Sequence, residues 1–432
     1  IYLNKSDFPF VHDLNRFLDL GHALQILSAG DKHALGQLVF AQVMTYLPLK
    51  AFSRMVQARR AQHKVKDFSC LDQFLALSFA QLTARESWRD IEINLRVQRQ
   101  HFYHLGFRCK TISRNTLANA NRVRPWEVFA DLAHHLIGVA RPLYANDATS
   151  TDLKSLMGAT VYALDATTID LCLSLFSWAP FRTTKAAIKL HTLMDLRGSI
   201  PSFIHISDGK MHDVKVLDIL AKQGYIEVGA YYVMDKAYVD FARLYQVHTA
   251  RAFFVTRAKS NMQFIVAQAF PVPMNTGLIS DQHIQLMGYN SYHRFPELIQ
   301  QVTYIDPETG KTLEFLTNNM TLFVDYLRTL QTALQVELFF KWIKQHLRIK
   351  AFFGTTENAV KTQIWTSIAT YVLIAIVKKR LNLDHSLYEI LRVLDLNMFE
   401  TTPISALLGK LQNGPETDQD PIQQNLFPTL GH

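Results

Sequence analysis

Three acidic residues sit where rigid backbone can hold them: Asp165 in Tyr162-Ala-Leu-Asp-Ala-Thr-Thr168, Asp235 in Tyr231-Tyr-Val-Met-Asp-Lys-Ala-Tyr238, and Glu337 in Gln335-Val-Glu-Leu-Phe-Phe-Lys-Trp-Ile-Lys344. The two aspartates follow short apolar runs, and the glutamate opens an amphipathic stretch. Two carboxylates carried by strands and one by a later helix are hard oxygen donors that can hold two divalent cations against a phosphodiester. A single Asp at a strand end more often just starts a turn. It is the set of three, in these surroundings, that points to phosphoryl transfer on nucleic acid.

From Glu337, the residues Lys341, Lys344 and Arg348 follow at the three- and four-residue steps that share one helix face. Leu338, Phe339, Trp342 and Ile343 fill much of the opposite side. An acid followed by three cations suits a metal ligand beside a phosphate backbone. A solvent-facing Glu337–Lys341 pair, worth only tenths of a kcal/mol, is the equal alternative on spacing alone.

The elements that must position these groups can be read from periodicity. Residues 34 to 150 read as nearly continuous helix, with apolar residues at three and four spacings in Leu38–Leu47 and Leu71–Leu82. From 159 the texture becomes β: Thr160–Leu164, Ala187–Met194, Ser202–Ile206, Tyr231–Met234 and Ala252–Thr256, with turns at Arg197-Gly198 and Asp208-Gly209 and a helical stretch at Val214–Lys222. This mixture predicts a layered α/β domain, with Asp165 and Asp235 each at a strand end. Residues 260 to 317 read as a small β-rich insertion, helix resumes from about 323 to 382, and the Asn413–Pro421 stretch reads as a mobile tail.

The chain has 432 residues, enough for several cores, and its 48% hydrophobic and 19% charged content excludes a disordered protein. A net charge of +8 favours an acidic polymer as partner. Cys70, Cys109 and Cys172 lie far apart with no ligand spacing, which excludes zinc fingers and a disulfide framework and suggests reduced thiols. The longest apolar run, Ile364–Val377, falls short of the roughly 20 residues of a membrane span and reads as a buried helix. No signal peptide is visible, and the chain opens on Ile1.

Four blocks carry a resemblance: Ala163–Asp170, Phe181–Gly198, His205–Asp213 and Val336–Leu347 resemble the DDE transposases of bacterial insertion sequences, the IS-four type in particular. Phe68–Phe74 through Ser113–Asn121 is similar to the helical domain preceding the catalytic core in that group. The resemblance implies a ribonuclease-H-like α/β core with a β-rich insertion and a metal-binding triad of Asp165, Asp235 and Glu337. Mg2+ is the implied cofactor, with Mn2+ as a substitute. The implied partners are double-stranded DNA, as transposon inverted repeats and target, and a second copy of the chain in a synaptic dimer. No membrane is involved, and the implied location is the bacterial cytoplasm, at the nucleoid. The implied domains are an extension over 1–33, a helical DNA-binding domain over 34–150, a catalytic core over 151–259 and 318–385, the insertion over 260–317, and a C-terminal segment over 386–432.

The family signature reads Tyr, two residues, Arg, three residues, Glu, six residues, Lys. Glu337 and Lys344 fit it, whereas Leu330 and Ala333 stand at the Tyr and Arg positions. In the stretch Leu327-Arg-Thr-Leu-Gln-Thr-Ala-Leu334, the seven residues from Arg328 to Leu334 are what the family's usual segment yields when read in a shifted frame. A nuclease with the same core, or an impaired copy that only binds DNA, are therefore the alternative readings.

For DNA contact, Ser113 caps a helix whose Arg114, Asn115, Asn119 and Arg122 suit base edges, and a helix near Trp88–Arg96 precedes it in helix-turn-helix fashion. A plain solvated face is the alternative. Lys189, in the second block, is a further candidate contact, and Arg54, Arg59, Arg60, Lys64 and Lys66 are dense enough to neutralise phosphates. His205, His212 and Asp213 flank a glycine turn. They are candidates to position water or DNA, with a His/Asp metal centre as a lesser option.

Overall fold

The computed structural model describes residues 36–62, 65–147, 159–183, 185–273, 277–305, 310–320 and 352–412. Helices come first: α1 (Val39–Met44), α2 (Leu49–Ala58), α3 (Cys70–Leu82), α4 (Trp88–Val97), α5 (Arg114–Val123) and α6 (Glu127–Tyr144). Their starts are written in the sequence. Ser69 closes a capping box with Asp72, and Ser87 and Ser113 cap α4 and α5, each side chain accepting from a backbone N–H of the first turn. Asp72 does a second job, accepting from the backbone N–H of Arg108 at 2.7 Å and so pinning the loop before α5.

Among the strands, β1 (Val161–Leu171) is central to the first half of one large sheet. On one side, β3 (Lys185–Asp195) runs antiparallel to β1, and β4 (Ile200–Asp208) antiparallel to β3, with the short β2 (Pro180–Arg182) also on β3. On the other side, β5 (Tyr231–Met234) and β6 (Phe253–Arg257) run parallel to β1. Parallel neighbours need crossovers; α7 (Val216–Lys222) lies between β4 and β5, and α8 (Phe241–Thr249) between β5 and β6. The order β4-β3-β1-β5-β6, antiparallel on one flank of β1 and parallel on the other, is that of the expected ribonuclease-H-like core. Gly209 closes the turn after β4, where a Cβ would meet the Phe181 ring at 2.7 Å.

Residues 260–317 form strands as expected, but they are not a separate layer. β10 (Thr312–Thr317) pairs antiparallel with β6, and β9 (Ile299–Ile305), β8 (Leu278–Leu286) and β7 (Phe264–Phe270) continue the same sheet outward, with α9 (Tyr289–Arg294) between β8 and β9. Phe295 is wholly buried there, while Tyr289 is exposed.

Side-chain alternation gives the sheet two faces. Val161, Ala163, Leu190, Met194 and Val233 join the core shared with the helices. Tyr162, Leu164, Leu193, Tyr232 and Met234 belong to a second core with α7 and α8. Later come α10 (Glu357–Arg380), α11 (Leu387–Asn397) and α12 (Ile404–Gln412). Among the described residues α10 alone is long and apolar enough to cross a bilayer, but 94% of its apolar window is buried against α6 and α3. An all-round apolar helix is a core helix when protein surrounds it. Asn358 at its start donates to the carbonyls of Asn121 (3.0 Å) and Arg124 (2.7 Å), tying α10 to the end of α5.

Candidate active site

The last parallel rung between β1 and β5 is Leu164–Met234, so Asp165 and Asp235 are each the next residue on adjacent strands. Neighbouring strands lie about 4.8 Å apart, and residues at equivalent positions project to the same face. Both acids therefore follow Ala163 and Val233 toward the face that the helices cover. The strand-end expectation holds for Asp235 only. β5 stops at Met234, whereas β1 continues to Leu171, with Asp165 opposite Thr192 of β3. Antiparallel pairing with β3 keeps β1 extended past the acid, and the loss of its β5 neighbour leaves Asp165 half-buried beside an open edge.

Each carboxylate is oriented by its own backbone. Asp165 Oδ1 accepts from the N–H of Ala166 at 2.7 Å. Asp235 caps a 3-10 turn over Lys236–Tyr238, its Oδ1 accepting from Lys236 N–H at 2.7 Å, while its carbonyl accepts from the Thr256 hydroxyl at 3.2 Å. Arg257, one residue beyond the Met234–Thr256 rung, donates through Nη2 to Asp235 Oδ1 at 3.0 Å. Both side chains of this pair are 44% exposed, so it is worth at most about 1 kcal/mol and yields readily to a stronger ligand. A cavity of about 620 Å³ opens here, with Asp235, Lys236, Arg257, Lys259, Asn261 and Glu314 on its walls.

Beneath the acids, on the other face, lies a polar cluster. Lys189 donates to Asp213 Oδ1 at 2.9 Å and to the Met211 carbonyl at 3.0 Å. With its side chain only 15% exposed, this ammonium is committed to the protein and is not offered to DNA. His191 is wholly buried; its Nε2 is 3.0 Å from the Ser207 hydroxyl and its Nδ1 is 4.0 Å from Asp213. Burial pulls its pKa down to about 4, against the raising influence of Asp213, so the ring is neutral at physiological pH. Tyr238, three residues after Asp235, is buried, and its hydroxyl has no partner among the described residues. Burial raises its pKa first, and the negative charges of Asp165, Asp213 and Asp235 raise it further, so this phenol stays protonated with three acids acting on it. An unpaired buried hydroxyl costs about 1–3 kcal/mol.

Hard carboxylate oxygens at equivalent positions of adjacent strands, directed to the same face, fit a hydrated divalent cation. Glu337, together with Lys341, Lys344 and Arg348, lies outside the described residues, as do Leu330 and Ala333. Among the described residues no group of three or more His, Cys, Asp or Glu is arranged to hold a metal, so His205, His212 and Asp213 do not form a centre of their own.

In the helical region, Arg114, Asn115, Asn119 and Arg122 are exposed on one side of α5, while Leu117, Ala120 and Asn121 are buried. Arg122 donates to Asn119 Oδ1 at 3.0 Å, and α4 packs beside α5. Arg54, Arg60 and Lys66 are exposed, Arg59 is paired with Asp131 at 2.8 Å, and Lys64 lies outside the described residues. Sequence reasoning missed the contact of Arg257 with Asp235 and the buried hydroxyl of Tyr238. Only the sheet register brings Arg257 to Asp235, and no period marks Tyr238.

Residues 157–373 match the transposase DDE domain family, and residues 35–108 match a domain of unknown function, DUF4372. A putative transposase, y4zB, from Sinorhizobium fredii is 30% identical over 299 residues, covering 67% of this chain and 79% of the relative. A probable transposase for insertion sequence element IS5377 from Geobacillus stearothermophilus is 27% identical over 214 residues, covering 49% and 55%. Among solved structures, a cryo-EM structure of the piggyBac transposase synaptic complex with hairpin DNA aligns with TM-score 0.40 at 10% identity, covering 90% of this chain and 84% of that one. That likeness is slight, and the fold rests on the strand pairing instead. Family membership carries with it DNA binding, DNA cutting and joining, and dependence on a divalent metal ion. With half its length matched and a relative covered over more than two thirds, this chain belongs to the DDE transposase family of the insertion sequences.

Proposed function

We propose that Asp165, Asp235 and Glu337 are the metal-binding triad, that Mg2+ is the working ion with Mn2+ as substitute, and that the enzyme is of the IS-four type. It cuts at the terminal inverted repeats of its element and joins the ends to target DNA as a synaptic homodimer. The observation that carries this reading is the register that sets Asp165 and Asp235 one residue beyond the Leu164–Met234 rung. Residues 34–150 are the DNA-binding domain, 151–259 and 318–385 the catalytic core, and 260–317 the insertion between the second Asp and Glu337.

A bound divalent ion there would make a water or a DNA 3′-hydroxyl a stronger nucleophile and stabilise the leaving oxygen. The protein's part is orientation. Backbone N–H donors hold Oδ1 of each aspartate and so fix the orientation of its carboxylate. Arg257 and Lys236 line the cavity beside Asp235, where a phosphate of the cut strand meets positive charge. Lys341, Lys344 and Arg348, which follow Glu337 in sequence at three- and four-residue steps, are the further candidates to contact phosphate.

The test is cleavage and strand transfer on DNA carrying one transposon end, with Asp165→Asn, Asp235→Asn and Glu337→Gln. Each should abolish both reactions and keep DNA binding; a variant that still cuts removes its residue from the site. Strand transfer into a second duplex separates a transposase from the nuclease alternative. Wild-type protein that binds the ends and cuts nothing supports the impaired copy, which Leu330 and Ala333 favour.

A further inference from the structure

Two buried hydroxyls stand beside Asp165 on the sheet face toward which that residue projects. Thr192 is directly opposite Asp165 in the β1–β3 pairing, and Thr167 lies two residues further along β1. Directly opposed residues, and residues two apart on a strand, share a face, so the acid and both threonines lie together. Thr192 is 0% exposed and Thr167 4%, and neither Oγ1 has a hydrogen-bond partner among the described residues. Around Thr192 on this face, Leu190 and Met194 lie two residues away along β3 and Ile204 lies across on β4, all of them buried. Asp165 is therefore the polar group directly across from this hydroxyl. Opposed Cβ atoms stand about 5 Å apart, a span that a hydroxyl on one and a carboxylate on the other can close to a hydrogen bond. Stability alone favours valine at such a position, because a buried hydroxyl without a partner is destabilising.

We propose that Thr192 is a positioning residue: with a divalent cation at the Asp165–Asp235 site, its hydroxyl donates to the Asp165 carboxylate and fixes how that carboxylate meets the ion. The inference rests on the metal-site reading above. Carboxylates that ligate a metal are themselves hydrogen-bonded, and losing such a partner weakens metal binding. Asp235 shows the arrangement already, with the Lys236 N–H from its own chain and Arg257 from the neighbouring strand. For Asp165 the Ala166 N–H is the donor along the chain, and Thr192 supplies the donor from the neighbouring strand. Two donors from different directions restrict a carboxylate more than either does alone.

The test uses the full chain and Mn2+ as probe, with affinity read by the electron paramagnetic resonance of free Mn2+ and stability read by metal-free melting. Thr192→Val exchanges the hydroxyl for a methyl of nearly the same shape. Its metal-free form should melt at the wild-type temperature or above, while Mn2+ affinity falls about tenfold or more. Thr192→Ser should do the reverse, melting lower for want of a buried methyl but binding Mn2+ nearly as wild type does. Thr167→Val removes a hydroxyl just as buried but not opposite the acid, and should cost less affinity than Thr192→Val. Unchanged Mn2+ affinity in Thr192→Val overturns the proposal, as does an equal loss in the Val and Ser variants or in the two Val variants. So does a metal-free Thr192→Val that melts lower, because that marks a hydroxyl already bonded within the protein. Asp165→Asn and Asp235→Asn serve as controls: if they retain full Mn2+ binding, the metal-site reading itself fails, whereas loss in these two with no change in Thr192→Val rejects only the role of the threonine.

Discussion

Arg257 Nη2 lies 3.0 Å from Asp235 Oδ1, a pairing set by the β5–β6 register, since each residue follows directly on the Met234–Thr256 rung. The guanidinium thus neutralises a carboxylate assigned to a cation. Because the pair is exposed, its strength is at most about 1 kcal/mol and falls with salt. Arg257→Gln should therefore tighten Mn2+ binding by no more than about fivefold, most at low ionic strength, and weaken DNA binding. Calorimetric titration with Mn2+ and a gel-shift series check both; looser metal binding would mean that Arg257 supports the ion.

His191 makes stability depend on pH with a definite sign. Its folded pKa, about 4, lies below the ordinary 6.5, so the unfolded chain takes up a proton first. The associated stability is fully present above about pH 6.5 and is lost as pH falls from there toward 4, by roughly 3 kcal/mol at the outside. His205, lowered mainly by burial, adds to the same slope. Urea unfolding of His191→Gln between pH 7 and pH 4 should show a flatter dependence than wild type. An identical slope would assign it to other groups.

Asn358 joins α10 to the helical region by accepting from Trp126 N–H at 3.3 Å and donating to the carbonyls of Asn121 and Arg124. Asn358→Ala leaves those groups unpaired in a part-buried junction and should destabilise by about 2–4 kcal/mol. Denaturant melts read this directly, and a change below 1 kcal/mol in order of magnitude would show that water replaces the side chain.

On the helical surface, Arg54→Ala and Arg60→Ala should each reduce the salt dependence of DNA binding by about one counterion. Arg59→Ala should do less, because Asp131 already holds that guanidinium in a two-pronged pair. Asn115→Ala should relax base preference in a selection experiment, which a merely solvated α5 face would not do.

The stretch before Gln335 carries a genetic prediction. Sequencing the encoding DNA should reveal codons for Leu327–Leu334 that, read in a neighbouring frame, restore Tyr, Arg and Trp. Restoring that frame should raise cleavage. Codons that cannot regenerate those residues reject the frame shift.

Much of the architecture was legible because it is local. Apolar alternation marks β1, β3, β4, β5 and β6, and serine caps mark the helix starts, since both depend on residues a few positions apart. The chemistry of the acids was legible for the same reason, as each sits in a short, recognisable run. What lay beyond reach depends on pairing between distant segments. Only the register with β3 carries β1 past Asp165 to Leu171, and only the β6–β10 pairing turns residues 260–317 into an extension of the main sheet. Lys189 reads as a surface cation in sequence, yet a turn more than twenty residues later supplies the carboxylate that claims it. Type and spacing determined which residues can do chemistry. Tertiary structure decided which of them meet, because hydrogen-bond register and burial are set by neighbours that the local sequence does not contain.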